Sequence, residues 1–486
     1  MGATGVTAAR PHRLSDAALA SLGAGRPGPA TLAELRRARL SRHLLLLREI
    51  AVLARTEDFA ALAAAERAAP DRVRELLARP LFGVWAARCL TALRAGATPD
   101  SAGTGHLSEL AARARIPRPR REDGRQLTAE YDGLRITVRL EDTDPLRAEL
   151  GLPPTAALDA AEHQRWQTLF AGAWRLLVDR VRPDAEVLAG LLDCVVPVRT
   201  DPAARGISAT SADAFGAVAI SEPADATALA VGLLHEIQHS ILNGVQYLFD
   251  LLEEPGELGY SPWRDDPRPA SGILHGAYAY LTVTRFWRTR RDPLGQFEFA
   301  RWRAAVATAA GDLRGLTPAG ERFVGALLGE VRPWLDEPVD PRVRRLAEGA
   351  NRDHRLRWRL RNLHVGPADA AALADAWRRG ERPPPVTPVL RPAPRRALEA
   401  SARLDLTHRL LRGLPLDGAA GDLAYVRGDD GAALSAYRKN PGDRAAWAGM
   451  VLAGGLDAAP ELAAAAYRAL GDQERPDPLA MVKWVS

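Results

Sequence analysis

From Ala226 to Phe249 the chain runs without a proline, and its apolar residues Leu234, Ile237, Ile241, Val245 and Leu248 recur at spacings of three and four. That period predicts a long helix buried along one stripe. Ser221 and the Glu222-Pro223 pair supply a start signal just upstream. Two short apolar runs precede it, CVVPVR at 194–199 and FGAVAIS at 215–221, and both read as strands. Strand, turn and long helix are thus set side by side, and the remaining chain must cover them.

The same helix carries His235-Glu236-Ile237-Gln238-His239. Positions i and i+4 share one helical face, so both imidazoles reach one metal ion while Glu236 projects beside them. The apolar stripe leaves the two histidines on the neighbouring stripe, facing a cavity. Two imidazoles leave a catalytic coordination sphere incomplete, since such sites generally use three protein ligands and an open position. The long metzincin extension requires Gly at 242 and His at 245, where this chain has Leu242 and Val245, so that class is excluded. Glu253, Glu254 and Glu257 offer a thermolysin-like carboxylate, but from a Pro/Gly loop. His275, at the start of a further helix expected from about Leu274 to Arg290, is the better third ligand. The other seven histidines, His12, His43, His106, His163, His354, His408 and His364, lack ligand spacing and read as surface or satisfied core residues.

Between the two helices lies WRDDPRP, 263–269. Arg264 and Arg268 are four apart in a Pro-flanked segment leading to His275, and an arginine fork matches a carboxylate in two-pronged geometry. They either anchor a small dicarboxylate or tie structurally to Asp265, Asp266 or a helix end. Trp263 and Tyr260 either wall a pocket or simply pack.

Elsewhere, 14–95 has helical period, and LTAEYDGLRITVRLE, 127–141, alternates about an Asp132-Gly133 turn, which predicts a hairpin. Helix returns over 156–182 and 296–380. ERPPPVTPVLRPAPRR, 381–396, reads as an extended linker. Beyond it, 421–454 resembles one tetratricopeptide-like helical hairpin, which cannot stand alone and should pack on the main body or help hold a peptide. The expected division is a helical region 1–115, a metal core 116–380, the linker 381–396 and a helical tail 397–486. The fold class is mainly α, multi-helical, with small antiparallel β elements beside the metal-binding helix.

Composition narrows the function. No apolar run approaches the ~18 residues of a spanning helix. Residues 1–25 lack an apolar core followed by a cleavage site, so a cytoplasmic chain without a membrane partner is expected. Cys89 and Cys194 cannot build a disulfide framework or a thiolate metal site. The net charge of +5 comes with lysine only at Lys439 and Lys483, arginine supplying the other 63 of 65 basic residues. These arginines alternate with acids along helices, which describes a solvated surface rather than a nucleic-acid interface.

Together, FGAVAIS (215–221), LLHEIQHS (233–240), SPWRDDPRP (261–269) and LHGAYAYLTVTRFW (274–287) resemble the HExxH-motif peptide-modification proteins of ribosomal peptide natural-product pathways. HRLSDAALASLGAG and the LLLLREI after it do so more loosely. The resemblance implies a 2-oxoglutarate-dependent peptide beta-hydroxylase, with iron(II) as metal, 2-oxoglutarate as cosubstrate and a precursor peptide as partner. His235 and His239 would be iron ligands, with His275 inferred as the third and Arg264 or Arg268 as the cosubstrate clamp. Glu236 then has an open role, since an oxygenase does not need it as general base. Two other functions fit the same residues. One is a zinc metallopeptidase with Glu236 polarising a zinc-bound water. The other is a non-catalytic peptide-binding helical protein.

Overall fold

A computed structural model describes residues 11–115, 125–201, 206–254, 256–392 and 401–486. Parts of the Pro/Arg cluster at 116–125 and of the expected linker (393–396) lie outside the described residues. In chain order the first elements are α1 (Asp16–Gly23), α2 (Pro29–Ala54), α3 (Asp58–Ala68), α4 (Pro70–Leu77), α5 (Pro80–Arg94), α6 (Pro99–Ala102) and α7 (His106–Arg115). Then come β1 (Arg125–Tyr131), β2 (Leu134–Leu140), α8 (Ala160–Leu191), β3 (Cys194–Val198), β4 (Ser208–Ala209), β5 (Ala217–Ser221) and α9 (Ala226–Gln246). The hairpin β6 (Gly259–Ser261) and β7 (Arg264–Arg268) precedes α10 (Ala270–Arg288), α11 (Pro293–Gly311), α12 (Pro318–Val331) and α13 (Pro341–Asn362). The rest is β8 (Leu363–His364), α14 (Pro367–Arg378), β9 (Val389–Leu390), α15 (Ala402–Leu411), α16 (Ala420–Arg427), α17 (Asp430–Tyr437), α18 (Arg444–Ala453), α19 (Pro460–Ala469) and α20 (Pro478–Trp484). The fold is mainly α, as the periodicity predicts. No single helix among the described residues is long and apolar enough to cross a membrane.

The chain packs into two compact units, one of residues 1–253, 278–286 and 316–330, the other of residues 254–277, 287–315 and 331–486. These boundaries follow tertiary packing, not the proline-rich stretches at which a linear reading divides the chain.

In the first unit, β1 and β2 form the expected hairpin, with Tyr131 opposite Leu134. Asp132 and Gly133 both take positive φ, 45° and 72°, as a tight two-residue turn between twisted strands demands. The strands at 194–221 correct the expectation of purely antiparallel pieces. They join the hairpin in one five-stranded mixed sheet of order β1-β2-β3-β5-β4, with β2–β3 and β3–β5 parallel. The physical reason is α8, a crossover helix long enough to return the chain to run parallel to β2.

β3 and β5 are buried at every residue. On one face Cys194, Val196, Val198, Ala217 and Ala219 pack with Leu81 and Val84 of α5. On the other, α9 lies close: a Cβ on Gly232 would stand 2.8 Å from Ile220 Cδ1. α8 and α9 also approach at Gly172, whose added Cβ would meet Ala226 Cβ at 3.0 Å. Arg285 of α10, itself 5% exposed, pairs with Asp184 of α8 and, at 3.2 Å, with Glu330 of α12. It also donates to the carbonyl of Ala24 at 2.7 Å, tying four segments to one guanidinium.

In the second unit the tail packs on α13 and α14: Leu356, Leu373 and Ala374 share a core with Trp447, Met450, Val451 and Met481. The tetratricopeptide-like stretch is three short helices, α16 to α18, with Gly428 in the left-handed region between the first two. Gly421 and Gly449 make room for the Tyr437 ring. Arg403 is the polar centre, donating to Asp353 at 2.6 Å and to Asp422 at 2.8 Å. Within the expected linker, Val389 and Leu390 pair with His364 and Leu363 instead of running free.

Candidate metal centre

α9 begins where Asp225 accepts the amide hydrogen of Ala228 at 2.8 Å, satisfying one of the amides that a helix start leaves open. Leu234, Ile237, Ile241 and Val245 are at most 1% exposed, so the apolar stripe fixes the helix's rotation. That rotation leaves His235 half-buried, with 24% of its side chain accessible, while Glu236 is sealed at 3%. The Nε2 atoms of His235 and His239 stand 3.1 Å apart, their rings nearly perpendicular at 81°. Tyr280 of α10 closes one side, its ring edge-on to His235 with centroids 5.1 Å apart.

Glu236 is held from the sheet edge. β4 pairs with β5 through Ser208 opposite Ile220 and Ala209 opposite Ala219, and residues two apart on a strand point the same way. Ser208 and Thr210 therefore both reach Glu236. Ser208 Oγ donates to Oε1 at 2.6 Å and Thr210 Oγ1 to Oε2 at 2.6 Å. Oε1 is also 3.9 Å from His235 Nε2.

Among the described residues, His235, Glu236 and His239 form the group whose ligand atoms lie within 4.8 Å of one another. Burial pushes the pKa of His239 down to about 4, helped by His235, and burial lowers His235 as well. Both rings are thus neutral at pH 7, which is the ligating form. Two donors each about 2.1 Å from one ion and separated as these are would subtend roughly 95° at it. The pair therefore fits a metal ion held by both rings. A nitrogen and carboxylate donor set suits zinc and iron alike.

In the second unit, WRDDPRP forms the turn and second strand of the β6–β7 hairpin. Trp263, 7% exposed, packs on α10 at Gly276, where an added Cβ would stand 1.8 Å from its Nε1. This contact seats the hairpin against the turn of α10 that carries His275. Alternation places Arg264, Asp266 and Arg268 on one face of β7, with buried Asp265 and Pro267 on the other. Asp266 bridges the arginines, accepting from Arg264 Nε at 2.9 Å and from Arg268 Nη1 at 3.1 Å. Burial alone would raise the Asp266 pKa, but the two guanidiniums hold it below the usual carboxylate range. Each arginine keeps further N–H donors, with side chains 32% and 27% accessible. Asp266 thus orders the fork without exhausting it.

Tyr260 packs edge-on to Trp358 and hydrogen-bonds His354 Nδ1 at 2.9 Å. With Trp263 on Gly276, both aromatic residues of this stretch serve packing. Glu253, Glu254 and Glu257 are exposed and outside the histidine–glutamate group. His275 is half-buried on α10, which begins four residues earlier than expected. Both cysteines are buried and free.

Sequence reading missed Ser208, Thr210 and Tyr280. Nothing in the pattern ISATS marks a strand, and two residues are too few for alternation to register. Tyr280 was within reach, since it lies one turn after Gly276 in HGAYAY. No family model matches the chain, and no curated protein matches it significantly.

Proposed function

We propose that the protein is an iron(II)- and 2-oxoglutarate-dependent hydroxylase acting at the beta carbon of a residue in a ribosomally made peptide. The observation that carries this reading is the pairing of two neutral imidazoles at 3.1 Å with a carboxylate whose two oxygens already hold hydroxyl donors. A carboxylate with both oxygens already accepting hydrogen bonds is less free to take a proton from water. When bound, iron with 2-oxoglutarate and oxygen would convert a C–H to C–OH while the keto acid becomes succinate and carbon dioxide. His235 and His239 would hold the metal. Tyr280 and the buried stripe of α9 would limit water on one side of it. The roles of His275 as third ligand and of Arg264 or Arg268 on the distal carboxylate rest on the sequence reading and the resemblance.

One observation favours a second reading. Glu236 Oε1 lies 3.9 Å from His235 Nε2, close enough to serve a zinc-bound water in a peptidase.

Anaerobic loading with iron(II), followed by 2-oxoglutarate and air, decides between them. Succinate formation, with a gain of about 16 mass units per event on a candidate precursor peptide, supports the hydroxylase. Peptide fragments formed with zinc, and no succinate with iron, would replace it with the peptidase.

A further inference from the structure

Nine large hydrophobic residues are exposed among the described ones, and four of them, Leu44, Leu45, Val52 and Leu53, fall in the C-terminal half of α2 in the first unit. They remain 46%, 59%, 59% and 47% exposed. The opposite side of the same turns is closed. Ile50 and Ala54 share a core with Phe82 and Trp85 of α5, and Leu46 and Leu47 pack against it. This stretch of α2 is therefore apolar on two sides, and the core of its own chain uses one.

At about 100° per residue, Leu45 and Val52 lie only about 20° apart around the helix axis, with Leu44 and Leu53 on the flanks. Arg48 and Glu49 fall between them along the helix, roughly 50° to either side of the same line. The face has defined ends. Ser41 Oγ meets His12 Nε2 at 2.9 Å at one of them, and the helix stops at Arg55, in the left-handed region with φ 48°, at the other.

The charges on this face are unlike those nearby. Arg37, Arg39 and Arg42 of the same helix pair with Glu34, Asp193 and Asp213. Arg48 and Glu49 form no ion pair among the described residues. Adjacent positions on a helix do not face each other, so the two cannot neutralise one another within one chain.

A contact between two copies about a two-fold axis requires one surface to complement itself when reversed. With the axis midway between positions 48 and 49, α2 run antiparallel to itself sets Leu45 against Val52 of the partner subunit and Leu44 against Leu53 of the partner subunit. Arg48 then meets Glu49 of the partner subunit, and the second pair repeats the first. All six positions satisfy the requirement, apolar on apolar and positive on negative. A partner of unrelated sequence would impose no such reversal.

We propose that this face of α2 docks on the same face of a second copy of the chain, antiparallel and centred between Arg48 and Glu49. A pair of single helices buries less than the roughly 800 Å² per partner of a standard interface, so the dimer is reversible and depends on concentration. The proposal rests on no part of the metal reading.

Sedimentation velocity on the full chain over about 1–300 µM tests it, a range suited to weak complexes. The weight-average mass should rise from one chain toward two. Leu45→Glu and Val52→Glu, both altered at exposed side chains, should each weaken association by about tenfold or more with unchanged circular dichroism. Arg48→Glu alone, which sets like charges against each other twice, and Glu49→Arg alone should weaken it by about tenfold or more as well. The double variant Arg48→Glu with Glu49→Arg restores both pairs across the axis and should associate as the unaltered chain does, which a damaged fold would not. A full chain that stays monomeric throughout overturns the proposal and leaves the face to residues 1–10 or to a different protein. Association undiminished by both Leu45→Glu and Val52→Glu overturns it by placing the interface elsewhere. Single charge variants that weaken association without rescue in the double variant overturn the antiparallel register.

Discussion

Ser208 Oγ donates to Glu236 Oε1 at 2.6 Å, and Thr210, just past the end of β4, occupies the other oxygen. A carboxylate gripped this way is held in place by two hydroxyls and is less free to turn toward water. Glu236→Gln keeps one oxygen for these hydroxyls, and its metal content should stay near that of the unaltered protein. If hydroxylation is the activity, succinate formation should fall by less than about tenfold, whereas loss of a general base costs about 10²–10⁴. A fall in that larger range with metal still bound would return Glu236 to the role of base.

Gly83 packs on His43, and an added Cβ would stand 2.4 Å from its Nε2. The ring is 1% exposed, and burial lowers its pKa from 6.5 to about 4 despite the bond to the Leu77 carbonyl. The sign follows from proton uptake. Below pH 6.5 the unfolded chain takes a proton that the folded chain refuses until about pH 4. The contribution is therefore whole above pH 6.5 and is lost as pH falls, amounting to about 2 kcal/mol by pH 5. His43→Gln removes this titration. In urea unfolding its deficit relative to the unaltered protein should shrink by about that amount between pH 7 and pH 5. A deficit constant across both pH values would mean that His43 does not titrate this way.

The seat of the hairpin on α10 is equally testable. Gly276→Ala places a methyl on the Trp263 indole, and overpacking of this kind costs about 1–3 kcal/mol. Trp263→Ala removes the obstacle, so the double variant should be less destabilised than the sum of the two single ones. Additive losses would show that Gly276 is needed for some other reason.

These contacts show where a linear reading reaches and where it stops. The helix that brings His235 and His239 together is legible because i and i+4 are fixed by helical geometry, and the β1–β2 hairpin because Asp132-Gly133 suits only a tight turn. Parallel pairing of β2 with β3 is not legible, because it depends on where the long α8 returns the chain. Ser208 and Thr210 belong to the same category: they reach Glu236 only through the pairing of a two-residue strand with β5. Arg264 and Arg268 fall between. Their spacing was visible, but that alternation puts Asp266 on the same face, between them, required knowing that WRDDPRP is a strand.

That bridge makes the arginine pair a sharp test of the cosubstrate assignment. A guanidinium on a carboxylate contributes about 1.5–3 kcal/mol, so removal of the true clamp should raise the 2-oxoglutarate concentration for half-maximal rate by about 10- to 100-fold. Arg264→Ala and Arg268→Ala should differ, because a single fork holds the distal carboxylate in the proposed reading. Asp266→Asn keeps both arginines but removes the charge that orders them. Its cosubstrate requirement should rise less than that of the clamp variant, with metal content unchanged. Each variant is read by succinate formation across a range of 2-oxoglutarate. If neither arginine variant raises the requirement, the pair is a structural tie to Asp266 and the keto acid is held elsewhere.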